Sequence, residues 1–555
     1  MEDTYAKKPW LKFYDPEVPH TLQYPQMSYA AATREAFERF PDRVALYYMD
    51  GIIKFRNLDR LSSQMAHFLQ KSGCRAGDVV GVHLPNIPAC YISSVAIQKI
   101  GCFYTGVSAL LSPDELEYQL NNSGAKILVT LDFFLGWVSK AVGKTRVKTV
   151  LVTSLSDFLS TQPPAGKLDS FAGIPVVRFM EAVQNMPDDF LQVEVNPQDP
   201  CLMMYTGGTT GSPKGAILTH NNIVHHMVQM NAWAGAKMGE DVSLSAFPMF
   251  HQAGNFLAMW AMALGTSQVL IPNPRDLQFI ISAIKKFKPT TIVNVPTIYL
   301  ELMKLPEFRA LDFSGVKAFT SGASPFPGEN IREFEELVGQ GKLMEVYGMT
   351  ETSPVLTALP LNGVKKVGSV GIPLSDTELK LVDSESQKVV PRGEPGEVVA
   401  RGPQVFTRGY HKNPEETGHT LRDGWIYTGD IGVMDEDGYF YIVDRLKDMV
   451  SVSGFKVFTR QVDEVLLEHP AVDKAGTVGL PDSARPGSEI VACGVVLKPG
   501  REKSEEMKQR LVAYMKEKMA PYKVPKVIEF MDQLPMSAIG KVLKRKLKNM
   551  LMEGR

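Results

Sequence analysis

Apolar runs of strand length alternate with helical stretches through the first 350 or so residues. Val79–His83 leads into an Ala/Ile-rich helical segment, Ala125–Thr130 and Val147–Val152 are similar runs, and Thr291–Val295 precedes helical Ile298–Met303. This alternation predicts parallel sheets with crossover helices. From about Gly368 the texture changes to short β-rich segments separated by Gly, Pro and Asp: SVGIPL, TELKLVD, GEPGEVVARG and GWIYTGDIGVMDEDGYFYIVDRL. Asp437-Gly438 lies between two apolar runs and predicts a hairpin, because glycine supplies the positive φ that such a turn uses. An antiparallel sheet or small barrel is expected there. The longest uncharged stretch, Ala253 to Ile271, contains Gly254, Asn255, Gly265, Thr266, Ser267 and Gln268. A membrane span uses about 20 mainly apolar residues, so a buried helix-turn-strand is predicted instead.

The C-terminal residues read as a separate α+β unit. Ser504 to Met519 has an N-cap serine, Glu505 and Glu506 in the first turn, and Met507, Leu511 and Met515 along one stripe. That pattern predicts an amphipathic helix, stopped by Pro521 and Pro525. There is no internal repeat and no low-complexity tract.

Composition narrows the classes. The chain has 555 residues, 60 basic and 61 acidic, for a net charge of -1; 44% are hydrophobic and 22% charged. This excludes a disordered chain and a general nucleic-acid binder, which needs a strongly basic field. At roughly 150 residues per domain, three to four domains are expected. The cysteines at 74, 90, 102, 201 and 493 form no Cys-x-x-Cys pair. Neither a zinc site nor a thioredoxin-type motif is indicated, and so sparse a set fits a reducing compartment. The opening MEDTYAKKPWLKFYD has no apolar h-region, so no signal peptide is expected. The closing Glu553-Gly554-Arg555 is not the Ser-Lys-Leu address.

The chemistry is concentrated in Tyr205-Thr-Gly-Gly-Thr-Thr-Gly-Ser-Pro-Lys-Gly215, which follows the apolar strand Leu202–Tyr205. Glycines let the backbone approach an anion, and successive N–H groups form an anion-binding nest. Threonine hydroxyls add donors and Lys214 adds charge. The Walker pattern is not met, because Pro213 replaces the glycine before the lysine and Gly215 follows it. A phosphate loop of another type is predicted.

The sequence YTGGTTGSPKGAILTH resembles the signature of the adenylate-forming superfamily, which includes acyl-CoA synthetases, adenylation domains of peptide synthetases and luciferases. FPMFH (247–251), SGASP (321–325), VYGMTE (346–351), GWIYTGD (424–430), DRLKD (444–448), VSGFKV (452–457) and LPMSAIGK (534–541) follow in the family's order. The opening WLKFYDPEVPHTLQYPQ, with FERFPDRVAL downstream, is similar to the long-chain fatty-acid–CoA ligase branch in particular. The resemblance implies a fold of mixed α/β and α+β class. Its large N-terminal domain, residues 1–445, would hold two α/β layers and a small β-barrel. Residues 446–448 would be a hinge, and residues 449–555 a small mobile α+β lid.

The resemblance also implies a reaction in two halves. A carboxylate attacks the α-phosphate of ATP, giving an acyl-adenylate and pyrophosphate, and the thiol of coenzyme A then displaces AMP. Thr206, Gly207, Gly208, Thr209, Thr210, Gly211 and Lys214 would cover the β- and γ-phosphates. The family usually has a second hydroxyl residue where Gly207 stands; the long-chain branch often shows the same Gly-Gly form. Glu351 would be the Mg²⁺ ligand with the Thr206 hydroxyl as a second contact, since Mg²⁺ prefers hard oxygens. Tyr347, beside Gly348, would stack on adenine, and Thr350 would donate to the α-phosphate. Backbone at Gly322, Ala323 and Ser324 would border the adenine and acyl pockets. Asp430 would accept both ribose hydroxyls, and Arg445 would contact ribose and phosphate. Lys541 would bridge the attacking carboxylate and the α-phosphate, offsetting the charge that gathers in the transition state. Lys447 would be the hinge residue, and rotation about it would present Ser453, Gly454 and Lys456 for the thiol half-reaction. His251 would gate the acyl tunnel.

No acidic residue lies between Asp241 and Asp276. An amino-acid substrate is therefore disfavoured, because a buried ammonium would lack its partner. A medium- or long-chain fatty acid is the first expectation, an aryl or aryl-propenoic acid the second. A luciferase-like oxygenase, and a ligase passing acyl-adenylate to a carrier protein, stay open as other classes. The expected location is the cytoplasm. Peripheral membrane contact and oligomerisation are both left open.

Overall fold

A computed structural model describes residues 5–159, 170–190, 192–206, 212–324, 326–453, 455–485, 487–537 and 541–553. Two large sheets dominate the first part of the chain. One has seven strands, in the order Val176–Arg178, Thr149–Thr153, Ile127–Leu131, Val79–His83, Phe103–Gly106, Pro200–Thr206 and Lys214–Thr219. All neighbours are parallel except the last pair. Every residue of Val79–His83 and of Ile127–Leu131 is buried, as strands covered by helices on both faces must be.

The second sheet has nine strands. Its parallel centre runs Leu343–Tyr347, Ala318–Ser321, Thr291–Asn294, Val242–Ser245, Ser267–Leu270 and Val44–Tyr48, with antiparallel strands at both edges. The uncharged stretch predicted to be helix-turn-strand is helix Gln252–Leu264, a left-handed Gly265 with φ 65°, and strand Ser267–Leu270. Among the described residues no helix is long and apolar enough to cross a membrane.

Two strands start later than the apolar pattern suggests. Ala125 is not strand but helix cap: Gly124 turns left-handed after helix Pro113–Ser123, and the N–H groups of Gly124 and Ala125 both donate to Leu120 O. Val147 likewise donates its N–H to the Thr145 hydroxyl before strand Thr149–Thr153 begins. Both residues are buried, so apolarity alone marked them as strand.

The β-rich segment after Gly368 is an antiparallel sheet of Glu378–Val382, Gly396–Arg401, Leu421–Arg422, Trp425–Met434 and Phe440–Arg445. The expected barrel does not close by strand pairing among the described residues. Gly429 (φ 69°) divides the long strand Trp425–Met434. Leu421–Arg422 pairs with its first part and Phe440–Arg445 with its second. The Asp437-Gly438 hairpin forms as expected, with Gly438 at φ 90° and the Asp435 carboxylate accepting from the N–H groups of Asp437 and Tyr439.

The final segment carries its own apolar packing. Its two clusters draw their buried members only from Val450 to Leu551. Helix Glu505–Lys518 has the predicted Ser504 cap, the serine side chain accepting from Met507 N, with Leu511 and Met515 buried. All five cysteines are free and buried.

Candidate active site

The phosphate-loop segment is held by a hairpin whose two ends are in register, with Thr206 opposite Lys214. Residues Gly207, Gly208, Thr209, Thr210 and Gly211 lie outside the described residues. Tyr118 donates to Pro213 O at 3.1 Å and Tyr205 to Asn122 Oδ1 at 2.6 Å, which fix the hairpin's neck. Lys214 Nζ pairs with Glu416 and lies 5.7 Å over the Tyr410 ring. The Tyr410 backbone joins the hairpin edge: His411 N donates to Gly215 O at 2.8 Å and Ile217 N to Gly409 O at 3.0 Å.

Tyr410 ties this edge to the next motif. Its hydroxyl donates to Glu351 Oε1 at 2.5 Å, a charge-assisted hydrogen bond. Glu351 is 3% exposed and sits in the single turn Thr350–Thr352 that follows strand Leu343–Tyr347. Burial pushes its carboxyl above the ordinary value, while the Tyr410 hydrogen bond and the charges of Arg445 and Lys214 oppose that push. A buried carboxylate with few cations near it suits a divalent ion, so the donor chemistry fits Mg²⁺. Gly348 is required by space: a Cβ there would lie 2.0 Å from Pro354 O.

The other wall is built by the hairpin Trp425–Met434/Phe440–Arg445, which places Asp430 opposite Arg445. Arg445 Nε lies 3.0 Å from Asp430 Oδ1, and the Tyr347 hydroxyl donates to Asp430 Oδ2 at 2.8 Å. Burial, and then the Asp430 charge, push the Tyr347 phenol well above its usual value, so it stays a neutral donor. Asp430 is 4% exposed and both oxygens are engaged. Each carboxylate oxygen has a second acceptor site, so room for further donors remains.

Lys541 meets this group from the C-terminal segment. Burial lowers its ammonium to about 8, Arg445 and Lys447 add same-sign repulsion, and Asp430 alone opposes them. The Lys541 charge also reaches His251, whose imidazole is driven down to about 4, first by burial and then by Lys541. His251 is therefore neutral at pH 7. Its ring stacks near Phe247 with centroids 6.3 Å apart, and its Nδ1 accepts from Ala253 N, capping helix Gln252–Leu264. The turn at Gly322, Ala323 and Ser324 closes this side. A Cβ on Gly322 would lie 2.7 Å from Val346 Cγ2, Ala323 has φ 68°, and Ala323 packs on the Phe247 cluster.

Thr206, Lys214, Tyr347, Gly348, Thr350, Glu351, Asp430, Arg445, Lys447, Lys541 and His251 thus surround one region. Ser453 and Lys456 stand apart on a separate hairpin, Val450–Val452/Phe455–Val457. Ser453 Oγ accepts from Arg485 at 2.8 Å, and the half-exposed Lys456 lies 3.7 Å from Glu385. Gly454 lies outside the described residues. Tyr410 and Glu416 were not anticipated. Asn413-Pro414-Glu415-Glu416 reads in sequence only as a capped helix start, which it is. Its partnership with Lys214 exists only in the folded chain.

Among the described residues no group of three or more His, Cys, Asp or Glu is placed to hold a metal. The Glu351 site therefore differs from an all-protein metal cage.

The sequence matches the AMP-binding enzyme family over residues 33–411 and the AMP-binding enzyme C-terminal domain over residues 461–541. It is 36% identical to a long-chain-fatty-acid–CoA ligase of Bacillus subtilis over 98% of both chains. It is 32% identical to a feruloyl-CoA synthase of Amycolatopsis over 91% of this chain and 95% of that one. Among solved structures, an anthranilate CoA ligase in complex with anthranoyl-AMP superimposes with a TM-score of 0.85 at 27% identity, covering 96% of this chain and 98% of that chain.

Proposed function

The chain belongs to the AMP-binding enzyme family, and from that premise we propose that it is a fatty acid–CoA ligase acting on medium- or long-chain acids. It is an AMP-forming acid–thiol ligase with ATP, Mg²⁺ and coenzyme A as its cofactors. An acid carboxylate oxygen forms a bond to the α-phosphorus of ATP as the bond to pyrophosphate breaks. The thiol of coenzyme A then bonds to the acyl carbon, loses its proton and releases AMP.

One observation carries this reading. Lys541 lies among Asp430, Arg445 and Lys447 and also within reach of the charge-sensitive ring of His251. An ammonium between a nucleotide-binding pair and an acyl gate can bridge carboxylate and α-phosphate, where transition-state charge gathers. Tyr347, Asp430 and Arg445 would hold the nucleoside, and Thr350 the α-phosphate. Lys214 would exchange Glu416 for the outer phosphates. Glu351 and the Thr206 hydroxyl would hold Mg²⁺, which supplies charge neutralisation at those phosphates.

In this reading residues 1–445 are the nucleotide and acid domain, 446–448 the hinge and 449–555 the lid. The separate apolar packing of Val450 to Leu551 supports that division. Ser453, Gly454 and Lys456 would serve the thiol half-reaction after the lid rotates about Lys447. The enzyme is read as cytoplasmic, with any membrane contact peripheral; five free cysteines accord with that.

A second reading, an aryl or aryl-propenoic acid, has its own observation. The relative 32% identical over 91% of this chain is a feruloyl-CoA synthase, and ferulic acid is an aryl-propenoic acid. The test is a pyrophosphate-release assay with coenzyme A across acids from acetate to stearate and a set of aromatic acids. Turnover highest with alkyl chains supports the first reading, and turnover confined to aromatic acids supports the second. No turnover with any acid overturns both.

A further inference from the structure

Lys544 begins the last helix, Lys544–Glu553, three residues beyond Lys541. Its ammonium donates to the Thr459 hydroxyl and lies 4.0 Å from Asp444 Oδ1 and 3.9 Å from Asp448 Oδ2. All three side chains are shielded: Lys544 is 19% exposed, Asp444 3% and Asp448 16%. Asp444 also accepts from Thr459 N and from the Thr459 hydroxyl, the latter at 2.9 and 3.1 Å. A third carboxylate, Asp463 on helix Thr459–Leu467, feels the Lys544 charge and accepts from the Thr477 hydroxyl at 2.5 Å. By contrast Lys548, one turn on, pairs at 3.3 Å with Glu489 of its own segment.

Asp444 and Asp448 flank Arg445, Leu446 and Lys447. One cation from the far end of the chain is therefore shared by Asp444, which precedes the proposed hinge, and Asp448, the hinge's last residue. Rotation about residues 446–448 would carry Lys544 and Thr459 away from Asp444 and leave a buried carboxylate without its partners, which is costly. We propose that Lys544 is a positioning residue: through Asp444, Asp448 and Thr459 it latches the C-terminal segment in the arrangement that presents Lys541 to Asp430 and Arg445. This rests on the two-step reading above. Lys544 touches none of Tyr347, Asp430, Arg445 or His251, so its effect passes through the placement of Lys541.

The test compares the full-length enzyme with Lys544→Ala and Lys544→Arg. Pyrophosphate release and thioester formation from supplied acyl-adenylate are measured separately, alongside hydrogen–deuterium exchange of the ligand-free protein. Losing the latch shifts the population away from the Lys541-presenting state. Lys544→Ala should then lower kcat for pyrophosphate release about tenfold with KM for ATP within about twofold. Thioester formation from supplied adenylate should be undiminished, and exchange should rise at residues 444–448 and 541–547. Lys544→Arg, which keeps charge and reach, should recover to within about threefold of the parent. Equal slowing of both half-reactions, or no slowing of either, overturns the latch. If Lys544→Ala does not fold, Asp448→Asn substitutes and should give the same asymmetry; its absence overturns the proposal as well. If the parent forms no adenylate from any acid, the function reading falls. The latch then stands or falls on exchange alone: unchanged exchange at residues 444–448 in Lys544→Ala overturns it.

Discussion

Replacing Lys541 with methionine should make the ligand-free protein more stable at neutral pH. The ammonium is drawn into a shielded site where Arg445 and Lys447 repel it and only Asp430 attracts it. Its value falls from 10.5 to about 8, and at about 1.36 kcal/mol per unit that corresponds to roughly 3 kcal/mol of unfavourable placement. A lysine with a depressed folded value weakens the fold while it is charged. Between pH 8 and 10.5 the unfolded chain holds a proton that the folded chain has released, so stability rises with pH over that window. Methionine keeps the apolar stem without the charge. Denaturant unfolding at pH 7 should show Lys541→Met more stable by about 1–3 kcal/mol, the lower figure applying if the segment swings out to hydrate the ammonium. The difference should shrink to nothing by about pH 10.5, where the parent lysine is also neutral. His251, facing the same ammonium, is neutral in the folded chain above about pH 5, and its unfolded value of 6.5 confines its own contribution to below about pH 7.5. ATP should stabilise the parent more than the variant, because a polyanion reverses the sign of the lysine's placement. A variant less stable than the parent at pH 7, or a difference that does not vary with pH, would show that the Lys541 ammonium is not disfavoured in the folded protein.

Three other outcomes follow from the same geometry. Asp430→Asn removes the charge that organises Arg445 and the Tyr347 hydroxyl, and should raise KM for ATP by about tenfold or more, measured by steady-state pyrophosphate release. Lys447→Pro should slow thioester formation much more than adenylation, read by following the two half-reactions separately; equal slowing counts against the hinge. Tyr410→Phe keeps the ring under Lys214 but deletes the donor to buried Glu351. It should cost about 1–3 kcal/mol in denaturant unfolding, and an unchanged unfolding midpoint would contradict that hydrogen bond.

Much of this site is legible in the chain because its parts are local. Thr206 and Lys214 close a loop between two adjacent strands, and Asp430 and Arg445 are opposed across one hairpin whose turn is marked by Asp437-Gly438. The contacts that join these pieces are not local, and nothing in periodicity or spacing announces them. Tyr410 meets Glu351 across 59 residues of chain, and Tyr347 meets Asp430 across 83. Glu416 looks like an ordinary first-turn acid until Lys214 is placed against it. The latch at Lys544 is hidden for a related reason: Lys544, Arg545 and Lys546 are alike in sequence, and only the fold surrounds the first of them with Asp444, Asp448 and Asp463. The strand starts after Ala125 and Val147 are not legible in sequence, because buried residues just before a strand are as apolar as strand residues. The choice between an open antiparallel sheet and a barrel in the β-rich segment is not legible in sequence, because the split at Gly429 depends on which neighbours each half of a long strand finds.

In the proposed function Lys541 acts in the first half-reaction from the position it occupies beside Asp430 and Arg445. ATP–pyrophosphate exchange in Lys541→Ala, with a fatty acid that the parent enzyme uses, tests it most directly. Exchange should fall by several orders of magnitude while thioester formation from supplied acyl-adenylate is largely retained. Exchange at the parent rate would contradict it.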